Sequence, residues 1–452
     1  MASAPSLNFH FWVEHTMNRA GFDRTARPAR VFAWASAVAA LAVSFGAAAA
    51  TDIRVWHALP AHNAEVFKGL VNEFNRSQSD VRVQLKAFAS VAEIERAIST
   101  AKKRDDKPHL AQLEENRAPG GAGRSYVQPL HALLATHPIK NAKWFLQGKN
   151  AFGHDANGRM LAFPYMAEVP VMFYNIDAFK KANLKAQPER SWAGLQDQLV
   201  TLANNGSRTC PVTSDQPVSI NLENLAAVNN QPYTSEGNGF KGKGTPAFMF
   251  DVMFVRHLSL MISWVRSELM VKPEFNEMAT KRFAQGECAV LLSTSGNIGA
   301  FRDASRLNFG VAGLPYYPEV TKEPGAPFLS GSALWVIAGQ SKEADNASAA
   351  FLSFLAQPRQ ASRWFQNTGY LPLTHQALED TGSSYFRNLD QWSKLVAAYS
   401  SPGAASRGFQ VRNYPEIREM FHQQIMQALA GNQPAMTALR TAGSEASKIM
   451  KK

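Results

Sequence analysis

The chain has 452 residues, of which 45% are hydrophobic, 18% charged and 10% aromatic. That is enough for two or three domains with buried cores, and too apolar for a disordered, collagenous or disulfide-scaffold protein. Its formal charge is +11, but the surplus is dispersed, and the densest run, Lys102-Lys103-Arg104, is followed at once by Asp105-Asp106. With neither a basic stripe nor a reader motif, nucleic acid is not expected as a partner.

Residues 31–50, VFAWASAVAALAVSFGAAAA, are an apolar, Ala-rich run preceded by Arg19, Arg24, Arg27 and Arg30. The run ends in Ala48-Ala49-Ala50, the small-residue pattern of a signal-peptidase site, so residues 1–50 read as a signal peptide cleaved near Ala50. A membrane anchor is the competing reading, because twenty residues can span a bilayer. Met17 is an alternative start. No cysteine follows the cleavage point, so no lipid attachment is expected.

From Thr51 the pattern alternates. TDIRVWH (51–57) has a strand period. Asn63 is placed to cap a helix carrying Val66, Leu70, Val71 and Phe74 on one face. VRVQLKAF (81–88) is a second strand, a helix runs through Ile94 and Ile98, and HLAQL (109–113) is a third strand. Strand–helix–strand–helix–strand predicts a parallel α/β sheet. The same style returns at 307–315, 332–339 and in a helix near 343–356, while 249–270 and 416–430 read as helices. Loops are expected at Gly120-Gly121, at 237–246 and at Ser401-Pro402-Gly403. The two cysteines, Cys210 and Cys288, are either a disulfide or two buried thiols, since only their separation in space decides.

Motifs for catalysis or metal binding are absent: no His-Glu-x-x-His, Cys-x-x-Cys, Gly-x-Ser-x-Gly or dinucleotide fingerprint occurs. The near miss Gly237-x4-Gly242-Lys243 has Gly244 where a phosphate loop needs Ser or Thr, and reads as a surface loop. Glu114 and Glu115, adjacent on a strand, should face opposite ways and so not act as a carboxylate pair. No enzyme activity, metal or cofactor is expected. What remains is a set of polar groups at element ends. Thr294-Ser295-Gly296-Asn297 precedes a helical segment and offers N–H groups and a hydroxyl to a ligand, or simply a cap. Ser330-Gly331-Ser332 precedes an apolar strand, where Gly331 permits close approach of a ligand or only a tight turn. Trp56-His57 ends the first strand and could stack on a ligand or plug the core.

Together VWHA (55–58), PVMFYNIDAFKKANL (170–184), FAQGECAVLLSTSGNIG (283–299), SGSALWV (330–336), NTGYLPLT (367–374) and NYPEIR (413–418) resemble the extracellular solute-binding proteins of bacterial ABC importers, in particular their glycerol-phosphate-binding branch. The resemblance implies an α/β, two-lobe periplasmic-binding-protein fold of the maltose-binding-like type II, with hinge crossings near Pro164–Glu168, Asn308–Gly313 and Gly369–Leu373. Residues 51–166 and 310–368 would form one lobe, and 167–309 and 369–452 the other. It implies a monomer in the periplasm that captures sn-glycerol 3-phosphate or a glycerophosphodiester between its lobes and passes it to the ABC permease transmembrane subunits. It also supports pairing of Cys210 with Cys288.

Carried over residue by residue, the ligand site would contain Glu115, Ser295, Gly331 and Tyr370. Departures accompany them. Ser90 stands where the family has Tyr, Ser219 where it has a stacking Trp, and Glu168 where it has a phosphate-side Ser. A phosphate-pairing Arg falls on Gln410, with Arg407 and Arg412 as substitutes; Arg412 is the candidate taken forward. Glu168 matters most: two like charges about 5 Å apart at an effective dielectric near 20 repel by roughly 3 kcal/mol. Hinge carboxylates occur in sugar-binding relatives, so the alternative ligand is a sugar or polyol.

Overall fold

The computed structural model describes residues 50–452, apart from 116, 120–123, 148–151, 206–208, 243, 274–276, 388 and 401–406. The proposed signal peptide through residue 49, the Gly120-Gly121 and Ser401-Pro402-Gly403 loops and Lys243 therefore lie outside the described residues.

Two sheets organise the chain. The first contains β1 (Thr51–His57), β2 (Val81–Ala87), β3 (Leu110–Glu114), β4 (Val127–Gln128), β5 (Phe163–Glu168) and β10 (Ser330–Ile337), in the order β2-β1-β3-β10-β4, with β5 also paired to β10. The second contains β6 (Pro170–Asn175), β7 (Cys210–Ser214), β8 (Cys288–Thr294) and β9 (Phe309–Ala312), in the order β7-β8-β6-β9. β1 is parallel to β2 and β3, as the alternation predicts, whereas β10 returns antiparallel. Central strands such as β6 and β8 are buried along their whole length, which is why they read as unbroken apolar runs and not as alternations.

Each sheet carries its own helices, making two α/β lobes. On the first, α1 (Ala61–Ser77) sends Phe67 against Tyr165 and Phe351, with ring centroids 6.0 and 6.3 Å away. α2 is Val91–Thr100. On the second, α3 (Val252–Arg266) packs beside the C-terminal pair α7 (Tyr414–Leu429) and α8 (Ala435–Ile449) in one apolar core. α4 (Ile298–Asp303) belongs to the same lobe, because Phe301 meets Phe173 edge-on at 4.9 Å. α5 (Lys342–Leu355) and α6 (Pro358–Thr368) return to the first lobe, where Trp364 stacks on Tyr165 at 4.5 Å and its Nε1 donates to the Tyr165 carbonyl at 2.6 Å.

The chain passes between the sheets at Val169, between β5 and β6, and again between β9 and β10. β9 pairs with β6 through Ala312, so the second sheet continues past the break expected at residue 309. Val169 is fastened by reciprocal bonds: Ser295 N–H donates to the Val169 carbonyl at 2.8 Å, and Val169 N–H donates to Ser295 Oγ at 3.3 Å. Leu371 N–H donates to the Ala167 carbonyl at 2.7 Å, bringing the 369–373 segment to the same point. Cys210 and Cys288 lie directly opposite on parallel β7 and β8 with Cα atoms 4.5 Å apart, joined as a disulfide. Among the described residues no helix is long and apolar enough to cross a membrane.

Candidate functional site

Strands of both sheets end at one cleft between the lobes. It has two connected parts, a cavity of about 550 Å³ and a smaller one of about 260 Å³, which share Glu168, Gln216, Gly331 and Ser332. This is where an α/β fold puts its ligands, at the ends of strands where connections diverge.

Gln112, from β3, fixes the floor: its Nε2 donates to Ser332 Oγ at 2.7 Å and its Oε1 accepts from Ala58 N–H at 2.9 Å. Gly331 holds φ +94°, and a Cβ there would strike the Met166 carbonyl. Only glycine lets β10 lie this close to β5. Glu168 ends β5 and faces both cavities. Its carboxyl is pushed up to about 7, chiefly by enclosure; hydrogen bonds from Thr294 and Gly296 oppose the rise and the nearby Asp215 adds to it. Asp215 lies just past the end of β7, where Ser293 donates to its Oδ2 at 3.0 Å while Oδ1 is buried without a hydrogen-bond partner. Enclosure raises Asp215 to about 6. Neither Glu168 nor Asp215 has an ion-pair partner among the described residues. Tyr370 stacks on Trp364 at 5.5 Å and presents its ring to the larger cavity, and burial together with the Glu168 charge raises its phenol above the ordinary value.

The smaller cavity holds the cations. Arg117 pairs with Glu115 at 2.8 Å, donates to the Leu329 carbonyl at 2.8 Å and lies 4.1 Å over the Phe409 ring. Arg418 donates to Glu223 Oε1 at 3.1 Å, beside a 2.6 Å bond from the Tyr414 hydroxyl to the same oxygen. One turn of α7 brings Tyr414 and Arg418 to this edge together.

The structure therefore brings Glu115, Glu168, Gly331 and Tyr370 to the cleft, and leaves the other candidates out. Ser295 is fully buried, with its hydroxyl engaged by the Val169 N–H; Thr294, Gly296 and Asn297 line the cavity in its place. Ser90 is exposed and caps α2 through Glu93 N–H at 3.2 Å, with only its neighbour Val91 reaching the smaller cavity. Arg412 is exposed and lines neither cavity, and Arg407 stacks on Phe240 at 4.1 Å. Ser219 is buried with Asn224. Glu114 and Glu115 both reach the smaller cavity despite the strand alternation, because β3 ends at Glu114 and Glu115 lies beyond the pleat. Asn63 is not the cap of α1: that place is taken by Pro60, while Asn63 Nδ2 donates across the lobes to the Gly296 carbonyl at 3.0 Å. Trp56 packs on Phe88 at 4.9 Å, and His57 is buried and accepts from Leu59 N–H at 3.4 Å. Asp215, Arg117 and Arg418 were not anticipated.

A cleft lined by polar side chains and closed by two hinged α/β lobes defines a solute-binding protein. Comparison with known proteins gives the same class: the sequence pattern of the bacterial extracellular solute-binding proteins matches residues 69–394, and the chain belongs to that family. It is 30% identical over 410 residues to the sn-glycerol-3-phosphate-binding periplasmic protein UgpB of Rhizobium meliloti (strain 1021), covering 89% of this chain and 95% of the relative. It is 27% identical over 443 residues to the protein of the same name from Pectobacterium atrosepticum, covering 95% and 98%. Among solved structures, UgpB from Mycobacterium tuberculosis in complex with glycerophosphocholine superposes with a TM-score of 0.72 at 16% identity, over 89% of this chain and 99% of that one. Maltose-bound MalE3 of T. maritima superposes at 0.71 with 17% identity, over 88% and 100%.

Proposed function

We propose that this protein is exported to the periplasm by cleavage near Ala50, works there as a monomer, captures a glycerophosphodiester between its lobes and delivers it to the transmembrane subunits of an ABC permease. The observation that carries this reading is the division of the cleft. One part offers Arg117 and Arg418, each already balanced by a glutamate; the other offers Asp215, Gln112 and the Tyr370 ring, and Glu168 faces both. An anionic group fits the arginine side and hydroxyls fit the carboxyl side, where a carboxylate accepts strongly. A phosphate monoester brings a second negative charge next to Glu168, whereas a diester brings one, and the Coulomb penalty falls in proportion. The relatives named for sn-glycerol 3-phosphate and the neighbour holding glycerophosphocholine support a ligand of this class. The second reading, a neutral sugar, is favoured by Glu168 itself as a hydroxyl acceptor and by the maltose-bound neighbour.

A thermal-shift series on residues 51–452 tests it, with glycerophosphocholine, glycerol 3-phosphate, glycerol, maltose and glucose. A ligand that binds only the folded chain stabilises it by about 2.7 kcal/mol at a hundredfold excess over Kd. The expected order is diester above monoester, with no shift from the sugars; a shift with maltose or glucose alone gives the site to the second reading. Tyr370→Ala is expected to weaken binding of the responding ligand by about 1–3 kcal/mol in calorimetry, through loss of the ring face and hydroxyl. Unchanged affinity would remove Tyr370 from the site.

A further inference from the structure

Beside the larger cavity the two lobes touch through groups that need no ligand. On the first-lobe side stand His62 and Asn63 of α1 and the carbonyl of Asn367 in α6; on the second-lobe side stand the backbone of Gly296 and Gly299 and the carboxylate of Asp303. The His62 ring bridges them. Its Nε2 lies 2.8 Å from the Asn367 carbonyl and its Nδ1 lies 3.3 Å from Asp303 Oδ2. Asn63 Nδ2 adds the buried 3.0 Å bond to the Gly296 carbonyl. The approach depends on missing side chains: a Cβ on Gly299 would collide with the Asn367 carbonyl and stand 2.8 Å from His62 Nε2, and one on Gly296 would collide with Glu168 and stand 2.9 Å from the Tyr370 ring. Side chains are thus missing at Gly296, in the turn that leads into α4, and at Gly299, within α4 where α1 and α6 meet it.

We propose that His62, Asn63, Gly299 and Asp303 form an interlobe clasp that holds part of the unliganded population closed, and that these are positioning residues which set the affinity of the cleft without selecting its ligand. The inference rests on the solute-capture reading, but not on which solute is captured. The His62–Asp303 pair and the Asn63–Gly296 bond cross from one lobe to the other, so opening the cleft breaks both and each shifts the open–closed balance by its own net worth, while the His62–Asn367 bond within the first lobe holds the ring in place. Apparent affinity scales with the fraction in the competent, closed state. Weakening the clasp therefore multiplies Kd by one factor for every ligand. A residue that touches the solute would instead change the ratio between ligands. His62 lines the cavity wall, but Asp303 does not, so Asp303 separates the two roles.

The test uses Asp303→Ala and Gly299→Ala in the mature chain, with two readouts. The first is small-angle scattering of the unliganded proteins, which needs no ligand identity. Both variants are expected to have a larger radius of gyration than the wild type. The second is calorimetric affinity for glycerophosphocholine and maltose. Asp303→Ala is expected to weaken whichever of them binds by about two- to five-fold, the range of an exposed ion pair. Gly299→Ala is expected to weaken it by about tenfold, the scale of an overpacked contact, with the preference between ligands unchanged. Unchanged circular dichroism confirms that each variant is folded, and Asp303→Ala, at an exposed position, carries the test if Gly299→Ala is not. Scattering curves that match the wild type, or, where both ligands bind, an effect on one of them only, overturn the clasp. Failure of both probes to bind while the variants still open in scattering would count against the proposed ligand class and leave the clasp standing.

Discussion

Replacing both Cys210 and Cys288 with alanine is expected to lower the unfolding free energy by about 4 kcal/mol while leaving ligand preference intact. The bond joins β7 to β8 across 78 residues of chain. Closing a loop of that length removes conformational freedom from the unfolded ensemble worth roughly 4–5 kcal/mol in the chain-entropy account. The segment between the two cysteines includes the helix α3 and the Ser219–Glu223 turn that builds the wall around Glu223, so the cross-link shortens the search for contacts that are remote in sequence. Both cysteines are fully buried, in strands that share the second lobe's sheet and that end, at Ser214 and Thr294, beside the cleft. Folded geometry at the strand ends is set by the β7–β8 ladder itself, with Val212 opposite Val290 and Ser214 opposite Leu292, which is why affinity should be spared. Urea denaturation of the oxidised wild type, the reduced wild type and the double variant measures the difference. A loss below about 1 kcal/mol would show that the unfolded chain is already compact across this segment, and would reject the entropic account.

Strand and helix periodicity made most of the fold legible, because each lobe buries one face of each element and the spacing records it. Ile53, Val55, Val83 and Leu110 sit in one core as their alternation requires, and Leu70, Val71 and Phe74 sit on the inner face of α1, where Phe67 is buried with them and Val66 is only half-buried. The site was legible where chemistry and chain geometry coincide. Glu168 and Gly331 are forced to the cleft by the β5–β10 pairing, and Tyr370 follows the left-handed Gly369 that ends α6. It was not legible where a neighbour from far along the chain decides the role. Ser295 has the residue type of a ligand contact, but Val169, 126 positions away, takes its hydroxyl. Asn63 has the residue type of a cap, but Gly296 on the other lobe takes its amide. Asp215 did carry a signal: like Glu115 and Thr294 it stands at a strand's end facing the cleft, where polar residues of an α/β fold collect. Arg418 carried one too, one helical turn beyond Tyr414 in NYPEIR, and four residues is the spacing that puts two side chains on one face.

Glu168→Gln and Asp215→Asn are each expected to gain stability relative to the wild type as pH rises from 5 to 8. Both carboxyls are enclosed at the cleft without a cation partner among the described residues, and enclosure raises Glu168 to about 7 and Asp215 to about 6. A carboxyl whose pKa in the folded state lies above its unfolded value binds its proton more tightly when folded. Its contribution is complete below the unfolded value, near 4, and is lost as pH rises through 6 to 7. A rise of about two units corresponds to about 2–3 kcal/mol for one carboxyl. Because Asp215 helps raise Glu168, the two titrate as a pair and the total is less than twice that figure. The amide variants keep the shape and remove the titration, so at pH 8 each should exceed the wild type by up to about 2–3 kcal/mol, and the difference should shrink as pH falls toward 4. Melting curves between pH 4.5 and 8.5 read this directly, and superimposable profiles would mean that water or an unseen counter-ion already solvates the pair. The same imbalance bears on function. A site whose carboxyls resist ionisation when empty gains most from a solute whose hydroxyls donate to them, and loses most from one that brings a dianionic phosphate to the same wall.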